Sequence, residues 1–192
     1  MLIRNVKGAV FAAAVVLGAS GAARADFSLT TLLSGANERP SPAATPATGS
    51  ATVTFVSLTN TLSYSITFSD LTGAPGAGHI HVGGVNDVGP VIFPLSNLPA
   101  ATSGTFAGTL TAANLIPRPA AGINTFSDAV AAIAAGNAYV NLHTARFPGG
   151  EIRGQLPAAP GGVIPEPGTF ALLAGAGLLP LTGAVARRRR RR

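Results

Sequence analysis

The sequence predicts an all-β fold, an antiparallel β-sandwich, between residues 26 and 164. Two stretches, ATVTFVSL (51–58) and LSYSITF (62–68), alternate apolar and hydroxylated side chains with a period of two, as half-buried strands do. The short turn between them, at Thr59 and Asn60, predicts a hairpin. Further strand candidates, separated by loops rich in glycine and proline, are FSLTTLL (27–33), TSGTFAGTL (102–110), AYVNLH (138–143) and GEIRGQL (150–156).

One segment of this region is predicted to be helical instead. Apolar residues recur at helical spacing within NTFSDAVAAIAAG (124–136), namely Phe126, Val130 and Ile133. Thr125 or Ser127 would cap its start, and Gly136 would end it. We therefore expect a short helix in a connection between strands, and an alanine-rich loop is the alternative. The proline-rich segment 40–49 is expected to be a connector outside the core.

The formal net charge of +6 resides in the two ends of the chain. Residues 1–25 carry +3 and residues 165–192 carry +5, whereas residues 26–164 carry −2. Nucleic-acid binding requires clustered lysine or arginine on a folded surface, and the middle of the chain has no such cluster. The sequence therefore argues against a nucleic-acid partner. Cysteine is absent, so the predicted sandwich relies on its core and not on disulfides.

The N-terminal 25 residues have the organisation of a secretory signal peptide. Arg4 and Lys7 precede the apolar run GAVFAAAVVLGA, and ARA (23–25) supplies the small residues that signal peptidase requires. Cleavage is predicted between Ala25 and Asp26. The alternative is an uncleaved membrane anchor, although the apolar run is short for a span of about 20 residues.

The C-terminus is predicted to contain a transmembrane helix. Residues 168–186 are uncharged and long enough to cross a bilayer, and six arginines follow directly at 187–192. Because a cationic run after an apolar span stays on the cytoplasmic side, residues 26–164 would lie outside the cell membrane. The alternative, a simple solvated arginine tail, does not account for the apolar run before it.

The complete C-terminal pattern, IPEPGTFALLAGAGLLPLTGAVARRRRRR, resembles a PEP-CTERM sorting signal. It has, in order, the tripeptide Pro165, Glu166 and Pro167, an apolar span and a terminal arginine cluster. The resemblance implies recognition by an exosortase, cleavage near the tripeptide and export in a Gram-negative bacterium, often one that makes exopolysaccharide. Pro180 inside the span is a departure that would kink the helix. Residues 158–164 would link the exported domain, residues 26–157, to this signal at 165–192.

Three motifs of the middle region resemble the CHRD domain, a module first described in chordin. They are LSGANERP (33–40), GHIHVGGVNDVGPVIFPL (78–95) and AYVNLHTARFPGGEIRGQL (138–156). Arg39 stands where the family more usually has a small apolar residue. The resemblance implies a β-sandwich domain of extracellular proteins, and it implies no known reaction.

All three histidines of the chain lie within these motifs. Strand parity places His79 and His81 on one face of GHIHV, and it places His143 on the polar face of AYVNLH with Tyr139 and Asn141. If the two strands are neighbours, the three imidazoles converge and suit copper, zinc or nickel with an open position. The alternative is that they hydrogen-bond to loop backbone or to one another.

The same region also resembles copper/zinc superoxide dismutase, whose scaffold is an Ig-like antiparallel sandwich. The shared pattern is a His-x-His followed by Gly-Pro…Pro-Leu, with His143 in the place of a late ligand. A bridging histidine, zinc-loop histidines and the cysteines of a disulfide have no counterpart here. The resemblance therefore implies a shared scaffold with a reduced copper or zinc site, at which copper redox chemistry is one possibility.

Other polar residues give weaker indications. Glu151 and Arg153 would share a strand face and pair with each other or across to a neighbouring strand, or Arg153 would orient an anionic or sugar ligand. Asp70 is predicted to form a turn, and Asp87 either forms a turn or joins Asn86 as a minor ligand set. Residues 73–89 are expected to form a long, flexible surface loop.

The sequence shows no paired carboxylates, nucleophile elbow or phosphate loop. It therefore predicts a non-enzymatic protein, exported first to the inner membrane and then to the periplasm, outer surface or extracellular matrix. It would act there as a binding or structural module, with signal peptidase and exosortase as processing partners and exopolysaccharide or matrix components as expected contacts. The alternative is a small exported metalloprotein that uses His79, His81 and His143.

Overall fold

A computed structural model describes residues 26–160, and within them eight strands and one α-helix form the fold. The strands are β1 Phe27–Ser34, β2 Thr48–Val56, β3 Thr61–Ser69, β4 Ala77–Val82, β5 Val91–Pro94, β6 Gly104–Leu110, β7 Ala138–His143 and β8 Ile152–Gln155. The helix α1 is Phe126–Ala134, and short 3-10 turns lie at Gly35–Asn37, Ala112–Asn114 and Pro119–Ala121. All strands and the core cluster of the described residues lie between residues 27 and 156, so residues 26–164 include this complete sheet and its core.

The strands form one antiparallel sheet in the order β5-β4-β7-β8-β1-β2-β3-β6. The two four-stranded halves meet through a single residue pair, Ser34 opposite Arg153. Ile116, beyond β6, donates its backbone N–H to the carbonyl of Ile92 at 2.9 Å, which covers the β5 edge. The sheet is thus nearly closed and barrel-like. The all-β, antiparallel prediction is confirmed, and the arrangement is consistent with a sandwich.

The core consists of the apolar faces that the period-two pattern predicted. On β3, alternate residues Leu62, Tyr64, Ile66 and Phe68 are all buried. The β2–β3 hairpin is confirmed, with Asn60 at φ 51° in its turn. On the outer face, threonines pair across strands: the hydroxyls of Thr30 and Thr52 lie 2.9 Å apart. This half of the sheet therefore has an apolar inner face and a hydroxylated outer face.

The predicted helix is confirmed and the alanine-rich loop is excluded. Thr125 is its N-cap: its side chain accepts a hydrogen bond from the Asp128 N–H, and the Asp128 side chain accepts one from the Thr125 N–H. This reciprocal capping satisfies backbone donors that the first turn would otherwise leave free. The chain leaves the helix through Gly136 at φ 75°, a conformation that glycine adopts without strain. Its buried residues are Phe126, Ala129, Val130, Ile133 and Ala134.

The predicted targeting segments lie outside the described residues. These are the signal peptide with its cleavage site after Ala25, and the sorting signal that begins at Pro165, Glu166 and Pro167. Asp26 is the first described residue, and its carboxylate accepts a hydrogen bond from the Ser57 N–H at 2.7 Å. Within residues 26–160, no helix has the length and apolar character needed to cross a membrane.

The expectation of one long flexible loop over residues 73–89 is wrong in its middle. Residues 77–82 form β4, which pairs with β5 on one side and β7 on the other. The glycines that favoured a loop are partly required by packing. At Gly78, a Cβ would lie 3.0 Å from a methyl of Leu142, so the strand sits tightly against the core.

Candidate metal centre

The site is built on two neighbouring strands, β4 and β7. Their antiparallel register places His79 opposite Asn141 and His81 opposite Tyr139. His143 lies at the end of β7, opposite Ala77. Because side chains alternate along a strand, all of these polar residues project from one face, while Ile80 and Val140 enter the core. The strand parity predicted from the sequence is confirmed.

The three histidines converge. One ring nitrogen of each, taken from His79, His81 and His143, lies within 4.8 Å of the others. Nδ1 of His79 lies 3.1 Å from Nε2 of His143, and the centroids of these rings are 4.9 Å apart. His79 and His143 are half-buried, and His81 is only 9% exposed. The sequence predicted that the three histidines would converge if these two strands were neighbours, and the structure shows both features.

Backbone carbonyls determine which ring nitrogens carry protons. Nδ1 of His81 lies 2.8 Å from the carbonyl oxygen of Gly89, and Nδ1 of His143 lies 3.0 Å from that of Pro148. Since a carbonyl oxygen only accepts hydrogen bonds, both Nδ1 atoms are donors. In the neutral rings, both Nε2 atoms then keep their lone pairs. Nε2 of His81 is buried and has no hydrogen-bond partner among the described residues.

The surroundings favour neutral imidazoles. Burial, opposed by the bond to Gly89 and reinforced by the other histidines and Arg153, lowers the pKa of His81 to about 4. Burial also lowers the pKa of His79, with a further contribution from His143. The pKa of His143 is lowered by burial, against the effect of its bond to Pro148. Unprotonated imidazole is the form that ligates metal ions.

A stack of three side chains supports His81. Its ring lies on that of Tyr139, with centroids 4.7 Å apart and planes 10° from parallel. The guanidinium of Arg153 also lies over the Tyr139 ring, with its central carbon 3.4 Å from the ring centroid. Arg153 is 2% exposed and donates to the carbonyl oxygens of Asp87 at 2.7 Å and Gly84 at 2.8 Å. The loop of residues 83–89 is thereby fixed over the site.

Glu38 belongs to the site although the sequence suggested no role for it. It is 3% exposed, and Asn141 Nδ2 donates to its two carboxylate oxygens at 3.1 and 3.0 Å. Burial raises the pKa of Glu38 to about 7, although Arg153, Asn141 and Arg39 act in the opposite direction. The sequence feature that could have identified Glu38 is its position in the motif LSGANERP. We call Glu38, His81, Asn141 and Arg153 the buried polar layer.

The predicted pairing of Glu151 with Arg153 is wrong. Glu151 precedes β8, and its carboxylate accepts hydrogen bonds from the hydroxyls of Thr144 at 2.6 Å and Thr45 at 2.7 Å, and from the N–H of Thr72 at 2.9 Å. Burial alone would raise the pKa of Glu151, but these hydrogen bonds outweigh it and lower the pKa. Arg153 instead donates hydrogen bonds to the 83–89 loop and lies over the Tyr139 ring.

The loop carboxylates stay out of the histidine cluster. The side chain of Asp87 accepts from the N–H of Gly84 at 2.8 Å and closes a turn, as one of its two predicted roles required. Oδ1 of Asn86 accepts from Arg39 at 3.4 Å. Asp70 adopts φ 59°, consistent with the turn expected there. The predicted minor ligand set of Asn86 and Asp87 is therefore not assembled, and the cluster consists of histidines alone.

A comparison with protein families matches nearly the whole sheet, from the third residue of β1 onward. The CHRD domain family matches residues 29–156, about two thirds of the chain. The chain belongs to the CHRD-domain family. The match includes both strands of the histidine cluster and every member of the buried polar layer of this CHRD domain. Neither the curated proteins nor the solved structures contain a significant match to the chain.

Proposed function

We propose that this CHRD domain binds a first-row transition-metal ion, copper or zinc, through His79, His81 and His143. The observation that carries the proposal is the buried Nε2 of His81, which has no hydrogen-bond partner among the described residues. His81 belongs to a cluster of three histidines, each of which has one ring nitrogen within 4.8 Å of the others. A buried polar atom left unpaired costs about 1–3 kcal/mol, and a bound metal ion removes that penalty.

The donor set indicates the class of metal. Neutral imidazole nitrogens suit copper, zinc and nickel, whereas magnesium, calcium and manganese prefer carboxylate and carbonyl oxygens. The backbone carbonyls of Gly89 and Pro148 hold two of the rings in the tautomer that leaves Nε2 unprotonated. Three protein ligands also leave a coordination position for water or a further ligand.

Calorimetry of residues 26–164 tests this proposal. Titration with Cu(II) or Zn(II) is expected to show one ion per chain with a dissociation constant tighter than ~10 μM, about −7 kcal/mol. His81→Ala removes the central donor and is expected to abolish this binding. Arg146→Ala changes an exposed side chain on the turn after His143 and serves as the control. Weaker binding by the unsubstituted domain, or undiminished binding by His81→Ala, contradicts the proposal.

The role of the domain is proposed to be non-enzymatic. Membership of the CHRD family supports a binding or structural module, and the bound ion would serve that role without turnover. We further propose that the protein is exported and that the module acts in the cell envelope or the extracellular matrix. Exopolysaccharide or matrix components are the expected contacts there.

Sorting is proposed to depend on the C-terminal signal, with signal peptidase and exosortase as the processing enzymes. Deletion of residues 165–192 is expected to release the protein in soluble form from the producing cells. Replacing Pro165, Glu166 and Pro167 by alanine leaves the apolar span intact, so this variant is expected to stay in the inner membrane at full length. Cell fractionation and immunoblotting measure both results. An unchanged location of the deletion variant contradicts the sorting proposal.

A further inference from the structure

Asn141 occupies a position between the histidine cluster and the buried carboxyl of Glu38. In the sheet it lies directly opposite His79 on β4 and opposite Arg153 on β8. It is also two residues from His143 on the same face of β7, since side chains alternate along a strand. Asn141 is 3% exposed, so water does not satisfy its carboxamide freely.

The orientation of this carboxamide is fixed from the β8 side. Nδ2 of Asn141 donates to both oxygens of Glu38, so the amide nitrogen is the atom that faces Glu38. Glu38 lies on the β8 side, because it follows β1, whose end pairs with Arg153, and because Asn37 donates to the carbonyl of Arg153 at 3.1 Å. With Nδ2 directed toward Glu38, Oδ1 is directed away from it, on the residue of β7 whose register partner on β4 is His79.

Oδ1 of Asn141 is buried and has no hydrogen-bond partner among the described residues. It shares this condition with Nε2 of His81, so two unpartnered acceptors lie on one small area of the β4–β7 face. Leaving each of them unpaired costs about 1–3 kcal/mol. A metal ion alone satisfies the histidine nitrogen, and a water molecule on that ion supplies the donor that the carboxamide oxygen lacks.

We propose that Asn141 accepts, through Oδ1, a hydrogen bond from a water molecule bound to the metal of the three-histidine site, and that Glu38 is the residue that positions the carboxamide. This inference rests on the metal binding proposed above and assigns the open coordination position of that site. The site then distinguishes ligands by their hydrogen bonding: the position beside Asn141 takes a donor, such as water or an alcohol, in preference to an apolar group.

The test uses residues 26–164 and Cu(II), with affinity from calorimetry and the ligand field from electron paramagnetic resonance. Asn141→Leu removes the acceptor at similar volume, and it is expected to weaken Cu(II) binding roughly 10- to 100-fold and to change the spectrum. Asn86→Leu is the matched control, because Asn86 faces Arg39 and not the cluster, and it is expected to bind as the unsubstituted domain does.

A second variant exchanges donor and acceptor while it keeps the contact. In Glu38→Gln combined with Asn141→Asp, the new amide donates to the new carboxylate, whose other oxygen keeps the position of Oδ1. This variant is expected to bind Cu(II) at least as tightly as the unsubstituted domain. If circular dichroism shows that Asn141→Leu does not fold, the exchanged variant still tests whether the acceptor oxygen contributes to Cu(II) binding.

The outcomes separate the two proposals. If the unsubstituted domain binds no Cu(II), both the metal site and the role of Asn141 are overturned. If it binds, and Asn141→Leu has the same affinity and the same spectrum, only the role of Asn141 is overturned. Loss of Cu(II) binding in the exchanged variant also overturns that role, because this variant keeps an acceptor oxygen at position 141 and should therefore still bind.

Discussion

At the scale of single residues, His81 shows how neighbours that are distant in sequence set the chemistry of one side chain. Gly89 accepts its Nδ1 proton, Tyr139 stacks on its ring, and His79 and His143 lie beside it. The first contact determines the tautomer, and burial keeps the ring neutral by lowering its pKa. An isolated imidazole in water would have no fixed tautomer and would take up a proton near its ordinary pKa of 6.5, so the tautomer and the low pKa of His81 belong to the folded domain.

The pKa of Glu38 gives a prediction about stability. Because burial raises this pKa from 4.5 to about 7, the folded domain binds the proton more tightly than the unfolded chain does. The stabilising contribution is therefore complete below pH 4.5 and is lost as the pH rises through 7. Glu38→Gln stays neutral, so the unsubstituted domain should lose about 2 to 3 kcal/mol relative to this variant between pH 4.5 and pH 8.

Urea denaturation with chelator present measures this difference. The charged groups that face Glu38 are Arg153 and Arg39. Tyr139 stays neutral in this range because its pKa is raised. The histidines titrate equally in both proteins and cancel. Glu151→Gln is the control: the pKa of Glu151 is lowered, so its effect changes only in more acidic solution and the difference should be flat from pH 5 to 8. A flat difference for Glu38→Gln as well contradicts the prediction.

At the scale of elements, β7 separates what the sequence predicts from what it does not. Its alternation predicted both faces correctly: Val140 and Leu142 enter the core, while Tyr139, Asn141 and His143 project outward. The outward face was expected to be simply polar, yet Tyr139 and Asn141 are buried. The segments that cover it have no periodicity, because they are turns and loops held by side-chain hydrogen bonds to backbone. A periodic pattern therefore predicts strands and helices, but it does not predict which turns and loops bury their outer faces.

The turn between β7 and β8 gives a prediction that separates two adjacent glycines. Gly150 has φ 131°, and a Cβ there would lie 2.5 Å from Oε2 of Glu38 and 2.6 Å from Nδ2 of Asn141. Gly150→Ala is therefore expected to lower the free energy of unfolding by about 1–3 kcal/mol. At Gly149, a Cβ would meet nothing within 4 Å, so Gly149→Ala is the matched control and should have little effect. Equal denaturation midpoints for the two variants contradict this account.

At the scale of the whole molecule, the domain has two interiors of different chemistry. The apolar core fills the nearly closed sheet, and the buried polar layer lies outside it, between β4-β7-β8 and the loops. The sequence predicted six of the eight strands, the hairpin, the helix and the parity of the histidines. It did not predict the strand order or the place of Glu38, because both depend on contacts between distant segments. The pairing of Ser34 with Arg153, for example, is invisible to local patterns.

The proposed metal site would link this architecture to stability, which gives a prediction for the domain as a whole. His79 and His143 are 64 positions apart in sequence, so unfolding separates them and leaves only the weaker His79-x-His81 pair. A ligand that binds only the folded state at 100 times its dissociation constant stabilises it by about 2.7 kcal/mol. For a domain of this size, Zn(II) should then raise the Tm by roughly 10 °C.

Differential scanning calorimetry of residues 26–164 measures this shift, and excess EDTA should reverse it. His143→Ala keeps the His79-x-His81 pair but loses the ligand that only folding brings to it, so its shift with Zn(II) should be less than a quarter of the full value. Asn86→Leu, which lies outside the cluster, should retain the full shift. A shift of equal size in His143→Ala would mean that the ion binds the His-x-His pair without the fold. The convergence of β4 and β7 would then have no part in metal binding.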